Sequence, residues 1–387
     1  MAARAIALAW VACGLLAAPV AGAPARSEEE RLLWERAAQW EEALAKSDAV
    51  LRDAALQAYL DEITAKVHAQ LAEAQSAAPR VVVLRHPLIN AFAAPNGLVV
   101  LHTGILARLE NEAELATLLG HELAHFVRRH SLRESRERRG ATRREGLARA
   151  LSLGLYSLGG GPLEAAVDRH VRGYSQQLEL EADRLGFVAM ERAGYDVRAS
   201  VRMFEVVLLD EEEPAIEDPF YYADHPSMEA RAQHYRELIA RSRRSGGELG
   251  AERYLAAVRG AIAQNVKDDL ELARVRSARR GIDRLLAADA ASAEAHYLDG
   301  EWHRLAGKPG PESAAASADA YARATELDAK HAAAWRVLGL AQRDLGRAED
   351  ALRSLARAIE LAPEALDRPI LEAYVKELEA EAARAAR

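Results

Sequence analysis

Cysteine is nearly missing from this sequence: Cys13 is the single one among 387 residues. A disulfide within the chain is thereby excluded, and nothing past residue 13 can perform thiol chemistry. Aromatic residues are scarce as well, at 5%, while alanine and leucine abound, which argues for helices over a β-sandwich. An excess of positive charge is also lacking. The formal charge is −8 at pH 7, and phosphate binding needs a net basic face, so a nucleic-acid binder is disfavoured. The basic stretch from Arg128 to Arg144 is interleaved with Glu134, Glu137 and Glu145. It reads as a solvated helix rather than a patch for anionic lipid or nucleic acid. Beyond the first residues no apolar run is long enough to cross a bilayer.

The N-terminus is the apolar exception. Arg4 precedes an apolar run from Ala5 to about Val20, and small residues follow, with a cleavage signal at Ala23–Ala25. The run is shorter than the ~20 residues a span needs, so residues 1–25 read as a signal peptide removed on export, not as an anchor. Trp10 fits a lipoprotein site at Cys13 poorly.

Residues 28–75 alternate polar and apolar at helical spacing, with Leu56, Tyr59, Leu60, Ile63 and Val67 on one stripe. The run RVVVL, Arg80–Leu84, breaks that period and reads as a strand. A turn signal, Pro95–Gly97, has extended segments on either side. These predict a small antiparallel sheet with Leu88–Ala93 at its edge. Asn111 and Glu114 form the signature of a capping box opening a helix. Residues 140–162 turn apolar and then glycine-rich, which suggests a buried helix end and a loop, with a helix over about 163–192. Asp210–Ser227 is acidic with three prolines and reads as a long loop. Ser242–Gly250 looks like a boundary.

The last third repeats itself. Ala334–Glu364 matches the tetratricopeptide pattern of helix, turn and helix, through Trp335, Leu338, Gly339, Ala341, Gly346, Ala351, Leu355, Ala358 and Pro363. Gly300 and Gly307 repeat the spacing of Gly339 and Gly346, and Arg279–Ser292 looks like the second helix of a still earlier copy. Such hairpins bury their faces only against neighbours, so a short solenoid with a concave groove is expected. The fold class expected is mainly α with a small antiparallel sheet, arranged as signal peptide 1–25, catalytic domain 26–245 and helical repeats 246–387.

Chemistry concentrates at His121, Glu122 and His125. At about 100° per residue, the two histidines lie about 40° apart, one turn along one helical face. Their nitrogens can converge on one ion, and Glu122, about 100° round from His121, can address a water on it. His130 falls about 900° from His121, on the opposite face, so it is excluded as a ligand and read as part of a solvated helix. The surrounding Leu118, Leu119, Leu123 and Ala124 make a glutamate there costly unless it has a task. A hydrolytic zinc site needs a third protein ligand and an open position. Glu179 and Asp183 share one face of a later helix, whereas Glu181 points about 200° away from Glu179. Glu179 is therefore the candidate ligand and Asp183 the acceptor holding a ligand histidine by its far nitrogen.

Together, the pair His121-Glu122-x-x-His125 and Glu179-x-x-x-Asp183, with Asn90–Gly97 before them and His225–Ser227 after, resemble the gluzincin peptidases of the HtpX and CaaX prenyl protease type. The soluble, exported branch with C-terminal tetratricopeptide repeats, typified by the β-barrel assembly-enhancing protease, is the nearest in architecture. The resemblance implies one Zn2+ per chain held by His121, His125 and Glu179, with Glu122 as general base. It implies that His225 approaches the zinc, either blocking it at rest or steadying the oxyanion, and that Asn90 and Ala91 offer backbone pairing to an extended substrate. It further implies a periplasmic endopeptidase, free or outer-membrane associated, that acts on misfolded or misassembled outer-membrane proteins. The repeats would dock substrates or envelope assembly machinery, peripheral membrane contact stays open, and nucleic acid has no part. The rival reading is a non-proteolytic chaperone or adaptor with an idle zinc site; the retained Glu122 favours the enzyme.

Overall fold

A computed structural model describes residues 27–71, 77–141, 174–208, 228–244, 246–307 and 310–385. The signal peptide, residues 142–173 with the glycine-rich stretch, and the whole of Asp210–Ser227 with His225 lie outside the described residues.

Helix α1, Glu28–Ala45, starts where the Ser27 hydroxyl accepts from the Glu30 amide and three glutamates occupy the first turn. Helix α2, Ala54–His68, is capped by Asp53, and its stripe Leu56, Tyr59, Leu60, Ile63 and Val67 is buried. Between the two helices the chain leaves helical geometry to touch the sheet, where Leu51 donates to the Val83 carbonyl. The periodicity of residues 28–75 therefore belongs to two helices.

The sheet comprises β1, Arg80–Leu84, β2, Ala91–Ala93, and β3, Leu98–His102, in the order β1-β3-β2. Strand β2 occupies an edge and runs antiparallel to β3, the turn between them using Gly97 at φ 85°. Strand β1 runs parallel to β3, from Arg80 opposite Leu98 to Leu84 opposite His102. The sheet is thus mixed, which corrects the expectation of an antiparallel one. After β1 the chain passes to the far edge before turning back, so β3 enters the slot between and runs the same way as β1. A turn signal reports only its own hairpin and carries no information about that crossing.

Helix α3, Thr103–Arg108, leads into α4, Glu112–Val127. The Asn111 side chain accepts from the Glu114 amide, and Glu114 reaches back to the Glu110 amide at 2.7 Å, a capping box shifted by one residue. Every residue of α4 is buried. It packs against α2, β2, β3, helix α6, Gln176–Arg192, and helix α7, Ala199–Leu208. Arg129 then takes φ 54°, which breaks the helix, and α5, His130–Ala141, sets off on a new axis. Helix α8, Met228–Arg241, packs on α6 and α7.

The remaining helices are α9, Ala251–Glu271, α10, Val275–Ala288, α11, Ala293–Ala306, α12, Pro311–Leu327, α13, Ala332–Asp344, α14, Ala348–Leu361, and α15, Arg368–Ala385. Each packs mainly on its sequence neighbours. Gly300 lies against the Tyr321 ring and Gly339 against Leu355, where a Cβ would have no room. Helix α9 also packs on α3, and the Tyr254 hydroxyl donates to the Leu106 carbonyl at 2.7 Å. One hydrophobic core runs from α2 and α4 through Tyr254, Val258, Ile262 and Ile282 to Leu298.

Helices α4 and α6 meet backbone to backbone. A Cβ on Gly186 would stand 2.6 Å from the His121 amide nitrogen, and one on Gly120 would stand 2.8 Å from the Gly186 carbonyl oxygen. Gly186→Ala is expected to cost about 1–3 kcal/mol by forcing the helices apart. Urea denaturation followed by circular dichroism measures this; unchanged stability would show that the crossing has slack.

Candidate metal centre

Helix α4 brings His121 and His125 to one face, and the first turn of α6 brings Glu179 opposite them. The two Nε2 atoms are 3.0 Å apart. His121 Nε2 lies 3.4 Å from Glu179 Oε2, and His125 Nε2 lies 3.7 Å from Glu179 Oε1. All three residues are buried, and one ligand atom from each falls within 4.8 Å of the others. Two imidazole nitrogens and a carboxylate facing a common point are the donor set of a hydrolytic zinc ion, so these residues fit the group. Glu122 sits in the same helical turn, 7% exposed, and adds its charge to the surroundings of Tyr174.

Supporting contacts fix the two imidazoles from behind. His121 Nδ1 lies 2.9 Å from Asp183 Oδ1. Asp183 in turn accepts from Arg231 Nη2 at 2.6 Å, and that guanidinium is itself 3.1 Å from His121 Nδ1. Arg231 comes from α8, is buried, and rests on the Phe204 ring. His125 stacks on Tyr174 at 4.0 Å between centroids, and the Tyr174 hydroxyl pairs with Ser131. Glu181 turns away, to Arg128 at 2.6 Å and Arg133 at 2.7 Å.

Electrostatics follow from this packing. Burial and Arg231 both push the His121 pKa down, but hydrogen bonds to Asp183 and Glu179 outweigh them and hold it at about 9. Burial and the neighbouring His121 push His125 well below its usual range. Burial works to raise Asp183, yet Arg231 and His121 keep it well below the usual carboxylate range. Partial burial works to raise Glu181, yet hydrogen bonds from Arg133 and Arg128, with their charges, draw it down to about 2.

His130 is fully buried, with Nδ1 2.9 Å from His125 Nδ1. This overturns the reading of His130 as part of a solvated helix: the left-handed Arg129 resets the helical phase, so counting about 100° per residue past residue 127 has no meaning. The stretch from Arg128 is also ion-paired, Arg128 and Arg133 to Glu181 and Arg136 to Glu29.

At the edge strand, His102 donates to the Asn90 carbonyl at 3.0 Å and Ala94 donates to Leu98 at 2.7 Å. By antiparallel alternation the outward backbone groups are those of Ala91 and Ala93. The Asn90 carbonyl is thus already taken by β3. Helix α4 packs along this strand. His225 lies outside the described residues.

Arg231 and Tyr174 escaped the sequence reading. For Arg231 a signal existed: it shares a stripe with Tyr235 and Leu238 at helical spacing, and a cation on an apolar stripe implies a buried partner.

The N-terminal half matches known proteins. Residues 54–239 match peptidase family M48. The chain is 31% identical over 201 residues to a putative beta-barrel assembly-enhancing protease of Vibrio cholerae, covering 50% of this chain and 41% of that one. It is 30% identical over 178 residues to the beta-barrel assembly-enhancing protease of Escherichia coli K12, covering 44% and 36%. It is 32% identical over 162 residues to the mitochondrial metalloendopeptidase OMA1 of Arabidopsis thaliana, covering 41% and 32%. The chain thus spans less than half the length of these relatives. The crystal structure of MamA aligns at 20% identity and a TM-score of 0.26, covering 35% of this chain and 90% of that one.

The His121 proton must leave before a metal binds at that nitrogen. Since its pKa is raised from 6.5 to about 9, a metal competes with more protons as pH falls below 9. Zinc affinity is expected to weaken by up to about tenfold per pH unit between pH 9 and 7. Chelator competition at several pH values measures it, and a flat profile would contradict the assignment.

Proposed function

The chain belongs to peptidase family M48 through residues 54–239, and we propose that it is a zinc-dependent endopeptidase of the cell envelope that cleaves misfolded or misassembled outer-membrane proteins. The observation that carries this reading is the convergence of His121 Nε2, His125 Nε2 and Glu179 from two helices. Zinc held there supplies Lewis-acid polarisation of a peptide carbonyl and lowers the pKa of water. Glu122 takes the proton of the attacking water and returns it to the leaving amine. Asp183 accepts from His121 Nδ1 and fixes the ring, while Arg231 keeps Asp183 ionised. An extended substrate segment adds to the free edge of β2 at Ala91 and Ala93, along α4. His225 acts at the same centre, as a resting block or as an oxyanion donor.

Residues 1–25 serve for export to the periplasm, 26–245 for catalysis, and 246–387 as tetratricopeptide-like hairpins that dock substrates or the envelope assembly machinery. The names of the relatives from Vibrio cholerae and Escherichia coli support this setting. Among the described residues no helix is long and apolar enough to cross a membrane.

Glu122→Gln is expected to keep one zinc per chain while hydrolysis of an unfolded protein falls by about 10²–10⁴-fold. Metal analysis and a cleavage assay on the exported form test this. Equal cleavage by both forms would remove the base role; no cleavage by either, with zinc bound, would favour an adaptor. His225→Ala should raise basal cleavage if His225 blocks the centre and lower it if His225 steadies the oxyanion. An unchanged rate dismisses both roles.

A further inference from the structure

A histidine that binds a metal through one nitrogen carries a proton on the other, and in a buried site that proton needs an acceptor. His121 has Asp183. His125 turns Nε2 towards His121 Nε2 and Glu179, so its proton belongs on Nδ1. The atom facing Nδ1 is another imidazole nitrogen, His130 Nδ1, at 2.9 Å. Two protonated nitrogens cannot share that distance; His130 Nδ1 must therefore present its lone pair. Its proton then sits on Nε2, which faces the Glu181 carboxylate at 3.6 Å, a charge contact beyond hydrogen-bond reach. Glu181 is held in turn by Arg128 and Arg133.

We propose that His130 is a positioning residue of the metal centre: it accepts the hydrogen bond of His125 Nδ1–H and thereby aims His125 Nε2 at the metal, while the nearby charge of Glu181 favours the proton of His130 on Nε2. The seat is built by the backbone. Arg129 at φ 54° ends α4 and swings His130 under His125, where a continuous helix would place it about 140° round from that residue. The inference rests on the zinc reading above. It adds a relay Glu181–His130–His125 opposite the pair Asp183–His121, so that each imidazole is gripped on its far side by a group from outside its own turn.

The test compares His130→Leu, which fills space without an acceptor, with His130→Asn, whose amide oxygen can accept from His125. Zinc affinity is measured by chelator competition, and the fold of each variant by circular dichroism and thermal melting before zinc is added. His130→Leu is expected to weaken zinc binding by about 10–100-fold and His130→Asn to restore most of it. Equal affinity of His130→Leu and wild type overturns the proposal, as does equal weakening by both variants, which would indicate packing alone. Should His130→Leu not fold, ¹⁵N-histidine NMR of the zinc-loaded wild type decides: a proton on His130 Nε2 supports the relay, and one on Nδ1 overturns it. A wild-type protein that binds no zinc sinks the metal reading itself, a result distinct from variants that bind as tightly as wild type.

Discussion

The backbone contact between Gly120 and Gly186 sets the distance between α4 and α6, and the metal centre depends on that distance. Glu179 is seven residues before Gly186, and His121 is one residue after Gly120. The crossing therefore lies within two helical turns of every donor. A side chain at either glycine would separate the two helices by about the size of a methyl group. Three donor atoms now within 4.8 Å of one another would no longer reach a common ion at bonds of about 2 Å. The full burial of α4 serves the same end, since neighbours on every side leave it no freedom to shift.

Burying His121, His125, Glu179, Asp183 and Arg231 together would be costly if any stood alone. The arrangement offsets this by pairing: Arg231 with Asp183, Asp183 with His121, and the two imidazoles with Glu179. The same pairing directs protons. Hydrogen bonds raise His121 towards 9 while burial keeps His125 neutral, so one imidazole competes with protons for a metal and the other stands ready for it.

Much of this was legible where the information is local. The spacing of His121 and His125, the four-residue step from Glu179 to Asp183 and the capping box at Asn111 all follow from one helix's geometry, and the structure places those groups accordingly. What failed depends on events that leave no local trace. Arg129 adopts a left-handed conformation without being glycine, so nothing in the stretch Arg128–His130 announced that the helical phase would be reset. The parallel pairing of β1 with β3 arises from a crossing that no turn residue encodes. Arg231 comes from a helix about fifty residues beyond its partner Asp183, and only its place on an apolar stripe betrayed it.

The stretch Ser242–Gly250, which composition marks as a boundary, is bound rather than free. Its Glu248 amide donates to the Gly194 carbonyl, the Asp196 amide donates to the Glu248 carbonyl, and the Leu249 carbonyl accepts from Ala113 at the start of α4. Glu112, one residue earlier and fully buried, accepts from the hydroxyls of Tyr59 and Tyr195 and pairs with Arg253 on α9. On the far side of α9, Asp269 pairs with Arg274 and lies 3.5 Å from Arg108 of α3. A helical array gains its stability from neighbour to neighbour, so its first hairpin needs a surface to cover it. Here α3 and the start of α4 supply that surface through Leu106 and Glu112. The helix that carries His121 and His125 is thereby also one on which the first hairpin is seated, so the helical array begins at a fixed place relative to these two imidazoles.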